Sequence, residues 1–472
     1  MKDLLRGGPN IAWLLLSLIL LLQGCADKET EPFDPNQPVT LKVLYAWGEE
    51  DFYNRFGKEF QLKYPNVDFH FVENPEYNPD LTAEENEQAL LAHIAKERPD
   101  VLRIGGGNDL EAVTDAGKLI DLGPWMKRDN FSLDGIYPPV LHAIQMQGHG
   151  TLYGLSPTFV SSAVYYNKDL FEQYGVTPPQ DKMTWEQLLD LAARFPVEGS
   201  PEERIYGFAE ESAAEGSIFG LMNRIAQTEQ IALIDASGTR LLFDSDGWRR
   251  ITKLTVRSMT SNAVYFPEKL TIGQSMTPDN DLFVSGRAAM IVSGDYRMGL
   301  LEDKNHTMQT SPSPKEPLRW GMVPVPIDPV NPQSANEITV YEMYGIGADS
   351  TAKAAAWELV KFINSDEWAK AQSRTRGGGN LLARTAYNKD RFNHEDIEVF
   401  YSVKPQSGEE LRQIRQVPPE FQTSFADIVR EELESIAAGK QSVEQAVQKI
   451  QKRGQAELDS YNAQMEENNG VH

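Results

Sequence analysis

Between Tyr153 and Lys168 the chain reads Tyr-Gly-Leu-Ser-Pro-Thr-Phe-Val-Ser-Ser-Ala-Val-Tyr-Tyr-Asn-Lys. Pro157 interrupts the front half, which is a short extended segment. The back half, Val160 to Tyr166, is rich in β-branched and aromatic residues and predicts a strand that needs burial. Helix signals follow at once. Asp169-Leu170-Phe171 leads to the breakers Gly175, Pro178 and Pro179. A capping box of Thr184 and Gln187 then precedes Trp185, Leu188, Leu189, Ala192 and Phe195 at helical spacing. These apolar residues are expected in a core.

The same alternation runs through the rest of the chain. Val39 to Ala46 predicts a strand, Trp47 to Asp51 a loop, and Phe52, Phe56 and Phe60 one apolar face of a helix ending near Lys63. Tyr64-Pro65-Asn66 stops that helix before a strand at Val67 to Val72. A charged helix over 83–97 precedes the segment Pro99 to Ile104 and the loop Gly105-Gly106-Gly107-Asn108-Asp109. No Gly-Lys-Ser/Thr or dinucleotide fingerprint surrounds the glycines, so they read as a ligand loop at strand carboxyl ends or as a plain turn. Ile205 to Ala209 predicts a strand with Glu210 to Gly216 as its loop, and 233–243 a hairpin around an Asp-x-x-Gly turn. Asp279-Asn280-Asp281 lacks the twelve-residue loop of a calcium site and reads as a turn. Phe421 and Phe425, at helical spacing, read as core before cleft. Strands alternating with helices imply an α/β fold, and 472 residues exceed one ordinary core, so two lobes of about 150 to 250 residues each are expected.

Forty-five basic against 69 acidic residues leave a formal charge of −24, which repels nucleic acid. At the N-terminus, Lys2 and Arg6 precede an apolar run from Ile11 to Leu22, too short to span a bilayer and suited to a secretory signal. It ends at Cys25, the one cysteine, which excludes an intrachain disulfide. Residues 26–38 are polar and proline-bearing, as in a flexible tether.

Several of these stretches together resemble one family. They are 153–168, Tyr64-Pro65-Asn66, Pro99-Asp100-Val101 with Ala116 to Leu122, and Phe283 to Tyr296. Trp320 to Pro326, Tyr341 to Ala348 and Ala352 to Ser365 continue the pattern. The chain resembles the family 1 extracellular solute-binding proteins of ABC importers, the maltose-binding-protein type, from about Leu41 to Arg453. Stretches near 73–83 and 384–418 do not match. Tyr296 stands where tryptophan is common, and Leu382 replaces a proline usual in the crossing Arg374 to Leu382. Leu22-Gln23-Gly24-Cys25 resembles the lipobox of bacterial lipoproteins.

The resemblance implies an α/β, two-lobed periplasmic-binding-protein fold of class II type, each lobe a β-sheet flanked by helices, with a hinge of crossing segments. Residues 1–25 would be a lipoprotein signal peptide and 26–38 the tether. Lobe one would comprise 39–159 plus 345–375, and lobe two 160–344 plus 376–472. It implies a receptor that captures a sugar or oligosaccharide by hinge closure and hands it to ABC permease subunits. A diacylated Cys25 would hold it on the outer face of the membrane, of a Gram-positive cell rather than in a periplasm. The expected ligand contacts are Trp47, Glu49, Asn108, Asp109, Glu211, Asp295, Tyr296, Tyr344 and Arg376, with Tyr296 the foremost stacking candidate. No metal, cofactor or nucleic acid is expected, and the chain should be a monomer.

A surface glycosidase would need two carboxylates facing each other across a sugar. No His-Glu-x-x-His or Gly-x-Ser-x-Gly motif occurs, and the seven histidines are scattered. A binding protein without catalysis is the expectation. A non-sugar solute, or presentation of ligand to a sensory partner, remains open on the same fold.

Overall fold

The computed structural model describes residues 32–75, 78, 81–105, 108–211, 217–267, 281–310, 316–332, 338–375, 379–392, 394–402 and 419–469. Their strands are β1 (Val39–Leu44), β2 (Val67–Val72), β3 (Val101–Ile104), β4 (Gly154–Leu155), β5 (Thr158–Asn167) and β6 (Phe208–Ala209). They continue with β7 (Val264–Tyr265), β8 (Met290–Gly294), β9 (Trp320–Pro324), β10 (Ile338–Thr339), β11 (Met343–Ile346) and β12 (Leu381–Leu382). Two compact units result. Of the described residues, unit 1 holds those within 32–134, 147–155 and 342–368, and unit 2 those within 135–146, 156–341 and 369–469.

Unit 1 is built on the sheet β2-β1-β3-β11-β4. β1 runs parallel to both β2 and β3, whereas β11 is antiparallel to β3 and β4. Parallel neighbours need a crossover, and the helices supply it. The first begins at Gly48, earlier than the phenylalanine spacing predicts, and passes through a π-helical turn at Tyr53–Gly57 before ending at Lys63. Phe52, Phe56 and Phe60 are all fully buried. The second, Ala83–Glu97, opens on a capping box of Thr82 and Glu85.

In unit 2 the strand β5 is the axle. It pairs antiparallel with β12 at its start, with β10 next, and with β8 and β9 along its length. Such two-sided pairing needs the β-branched and aromatic composition that its sequence carries. β6 lies parallel to β8 and β7. Trp185, Phe208, Phe219, Phe243 and Trp248 fill the core together with Phe421 and Phe425, whose rings stack with centroids 5.3 Å apart.

Two expected elements are shorter than predicted. The strand over 205–209 is only Phe208–Ala209, with Tyr206 making a lone bridge to Ala288. The hairpin over 233–243 shrinks to one bridge, Ile234 to Leu241. The physical reason is the Asp235 carboxylate, whose Oδ1 accepts from the Thr239 and Arg240 amides at 3.1 Å each, so Arg240 N–H does not close the next ladder pair. The Leu241 N–H and O face away from Ile234 and meet the last helix, Val443–Asn469, where N–H donates to Gln455 Oε1 and O accepts from Gln451 Nε2, each at 2.8 Å. No helix of the described residues is long and apolar enough to cross a membrane.

Candidate ligand-binding site

Strand ends are where a sheet's backbone stops and side chains take over, and each unit gathers aromatic and charged groups there. In unit 2 the gathering point is the carboxyl end of β8. Ser293, Gly294, Asp295 and Tyr296 turn the chain from this strand into the helix Tyr296–Thr310. The Tyr296 ring is 50% exposed. It lies back against Gly294, where a Cβ would stand 2.8 Å from ring atom Cε1, so only glycine admits this pose.

The ring's hydroxyl is fixed as well. Tyr296 Oη donates to Glu211 Oε1 at 2.8 Å and accepts from Ser293 Oγ at 3.3 Å. Ser293 Oγ in turn accepts from Arg297 Nε at 3.2 Å, and the Arg297 guanidinium donates to the Glu211 carboxylate. The four side chains form a closed loop of hydrogen bonds. Arg297 is 1% exposed and also donates to Asp281. A buried guanidinium needs this double pairing, because an unpaired charge there costs several kcal/mol. Asp281 uses its other oxygen to accept from the Phe283 and Val284 amides, the turn expected at this residue. Burial, and then the Glu211 charge, push the Tyr296 hydroxyl up to about 12.

In unit 1 the gathering point is the carboxyl end of β1 and β3. Trp47 is 48% exposed, with the Arg103 guanidinium 3.9 Å from its ring centroid and Arg55 at 5.2 Å. Arg55 is held beneath by a bidentate pair with Glu342 and by a 3.1 Å hydrogen bond to Tyr45 Oη. Glu49 is exposed in the first turn of the helix after Trp47. Asp109 is exposed beside Gly105, where a Cβ would stand 3.0 Å from its Oδ2. Partial burial raises its carboxyl, and the nearby Arg103 opposes that rise. Asn108 opens the helix Asn108–Asp115.

Two expected contact residues offer no surface, and the structure corrects them to packing roles. Tyr344, in β11 of unit 1, is 0% exposed, and its hydroxyl donates to Glu342 Oε2 at 2.9 Å. Asp295 is also 0% exposed. Its Oδ2 accepts from the Leu381 amide at 3.0 Å, and its Oδ1 has no hydrogen-bond partner among the described residues. Burial pushes its carboxyl up to about 7 against the lowering effect of the Leu381 amide. Asp295 therefore ties β12 to the end of β8. Trp47 and Asp109 share the neighbour Arg103 in unit 1, where Glu49 lies on the helix after Trp47, while Glu211 and Tyr296 are hydrogen-bonded in unit 2. Cys25, Arg376 and the signal segment 1–25 lie outside the described residues.

Sequence reasoning missed Arg297, Asp281, Arg103, Arg55 and Glu342. Arg103 could have been flagged, since a charge inside an otherwise apolar four-residue strand must find a partner. Nothing local marks the other four.

Residues 46–370 match the model of the family described as bacterial extracellular solute-binding protein. A Brucella abortus protein named as a binding protein is 23% identical over 292 residues, 62% of this chain; the chain thus spans 64% of that relative's length. The mannitol-binding protein of Pseudomonas aeruginosa is 24% identical across 88% of this chain and 84% of its own. Among solved structures, a sugar transporter of Rhizobium etli in an open conformation aligns with a TM-score of 0.61, 18% identity, 89% of this chain and 99% of that one. The sugar-binding protein MalE of Xanthomonas citri gives a TM-score of 0.60, 18% identity, 91% and 99%. These likenesses show the two-lobed α/β fold of such binding proteins.

Proposed function

The chain belongs to the bacterial extracellular solute-binding proteins, and from that premise we propose that it is the receptor of an ABC importer for a sugar or oligosaccharide. The observation that carries this reading is the Tyr296 ring, half exposed, backed by Gly294 and anchored through its hydroxyl to Glu211. A rigid aromatic face covers the apolar C–H patch of a sugar ring, and adjacent carboxylates accept from its hydroxyls. Each matched hydroxyl contributes about 1 kcal/mol net, whereas one left unpaired in a closed site costs more. Trp47, Glu49, Asn108, Asp109 and Arg376 would supply further contacts when the two units close on the ligand. Closure would create the surface that the permease reads, with ATP hydrolysis on other chains and no catalysis here. A diacylated Cys25 would keep the monomeric receptor at the outer membrane face, since two acyl chains anchor stably where one is marginal.

A polyol or polyol phosphate is the second reading. The Arg103 guanidinium beside Trp47 favours it, as does likeness to proteins named for mannitol and sn-glycerol-3-phosphate. Thermal unfolding against monosaccharides, oligosaccharides, mannitol and glycerol-3-phosphate tests both. Ligand at about 100 times its dissociation constant stabilises by about 2.7 kcal/mol. A shift confined to sugars supports the receptor reading, and one confined to the other two moves it to polyols. No shift from any of them overturns both and favours a different solute or a sensory partner.

A further inference from the structure

A third group of side chains in unit 1 carries a different chemistry. Glu111 and Asp115 stand four residues apart on the helix Asn108–Asp115, so their carboxylates project one above the other. His149 returns onto them from the loop that follows residue 147. Its backbone adopts φ 49 and that of Gly150 φ 90, and the imidazole Nε2 lies 2.7 Å from Asp115 Oδ1. One ligand atom from each of the three residues falls within 4.8 Å of the others. We infer that Glu111, Asp115 and His149 form a surface site for one divalent transition-metal cation, bound through one imidazole nitrogen and two carboxylate oxygens.

The donor set suits zinc or manganese, which accept imidazole and carboxylate together. Three protein ligands leave the remaining positions to water. The electrostatics of the place call for a cation. Asp115 closes the helix at the negative end of its dipole, and the last turn carries no basic residue. Acidic residues of the adjacent helix Ala83–Glu97 add to the field. Glu87 there is held above the usual carboxylate range by burial first, and then by Glu84, Asp109 and Asp115. A divalent cation would supply two positive charges beside the two carboxylates. Bound there, it would join the end of this helix to the loop at 148–151, both within unit 1. It uses neither Asn108 nor Asp109, so the inference stands apart from the sugar reading.

Calorimetric titration of chelator-treated protein with zinc chloride, and separately with manganese chloride, tests it. At least one of the two should bind saturably, one ion per chain. His149→Ala and Asp115→Asn should each weaken that binding about tenfold or more, while His142→Ala leaves it unchanged. Asp115→Asn keeps the shape of the side chain, so a loss there reports ligation rather than folding. The same salt should raise the thermal midpoint of the wild type and not of His149→Ala. Absence of saturable binding for both ions overturns the inference, and so does binding that both variants retain.

Discussion

Each unit presents an aromatic ring of nearly equal exposure at a strand's carboxyl end, yet the two rings are held in opposite ways. Trp47 has a guanidinium lying 3.9 Å from its ring centroid, so part of its π surface is already occupied. Tyr296 has its arginine buried below it, engaged with Glu211, Asp281 and Ser293, while glycine supports the back of the ring. One ring is covered by a cation; the other is braced by a network and left open. Binding surface is thus decided less by exposure than by what the supporting charges do. A platform held by its own hydroxyl loses little freedom on meeting a ligand, and preorganisation of that kind favours affinity.

The sharpest way to break this comparison is to remove the brace. Arg297→Met leaves the Asp281 and Glu211 carboxylates without the Arg297 cation, and should lower stability by about 3 to 5 kcal/mol in chemical denaturation. Arg103→Met, over Trp47, should cost much less. Equal losses would mean that the two arginines play the same part.

Asp295 sharpens it through pH. Its carboxyl is raised from 3.8 to about 7 in the folded state. The native protein therefore holds this proton where the unfolded chain has released it, and stability falls as pH rises across that window. The full shift corresponds to at most about 4 kcal/mol. Stability of the wild type relative to Asp295→Asn, measured from pH 4 to 7, should decline with rising pH. A flat difference would show that the buried carboxyl ionises freely.

The smallest expected effect is on ligand binding. Tyr296→Ala should weaken binding of whichever solute raises the thermal midpoint by about tenfold, about 1.4 kcal/mol, with little change in unliganded stability. Trp47→Ala should weaken it less, because Arg103 already occupies part of the ring. Titration calorimetry on the two variants checks the order, and the reverse order would make Trp47 the principal platform.

Local chemistry was legible in the residues themselves. Thr184 with Gln187 forms the capping hydrogen bonds that their spacing predicts. The strand β5 and the helix Ala83–Glu97 follow from composition and periodicity, since both depend on neighbours a few residues away. The motif ending at Tyr296 marked a ring worth testing, and that ring is exposed. The π-helical turn at Tyr53–Gly57 left no such trace, nor did the bonds of Gln451 and Gln455 to Leu241.

What the amino-acid sequence by itself determined, then, is the set of elements and the positions where aromatic and acidic residues leave them. Only the tertiary structure decided which of those residues keep a surface. Asp295 and Tyr296 are neighbours in the chain, yet one is sealed against the Leu381 amide and the other half open. Arg297 finds Asp281 16 residues away and Glu211 86 residues away. Burial and charge pairing are set by distant segments meeting in space, and no window along the chain contains them.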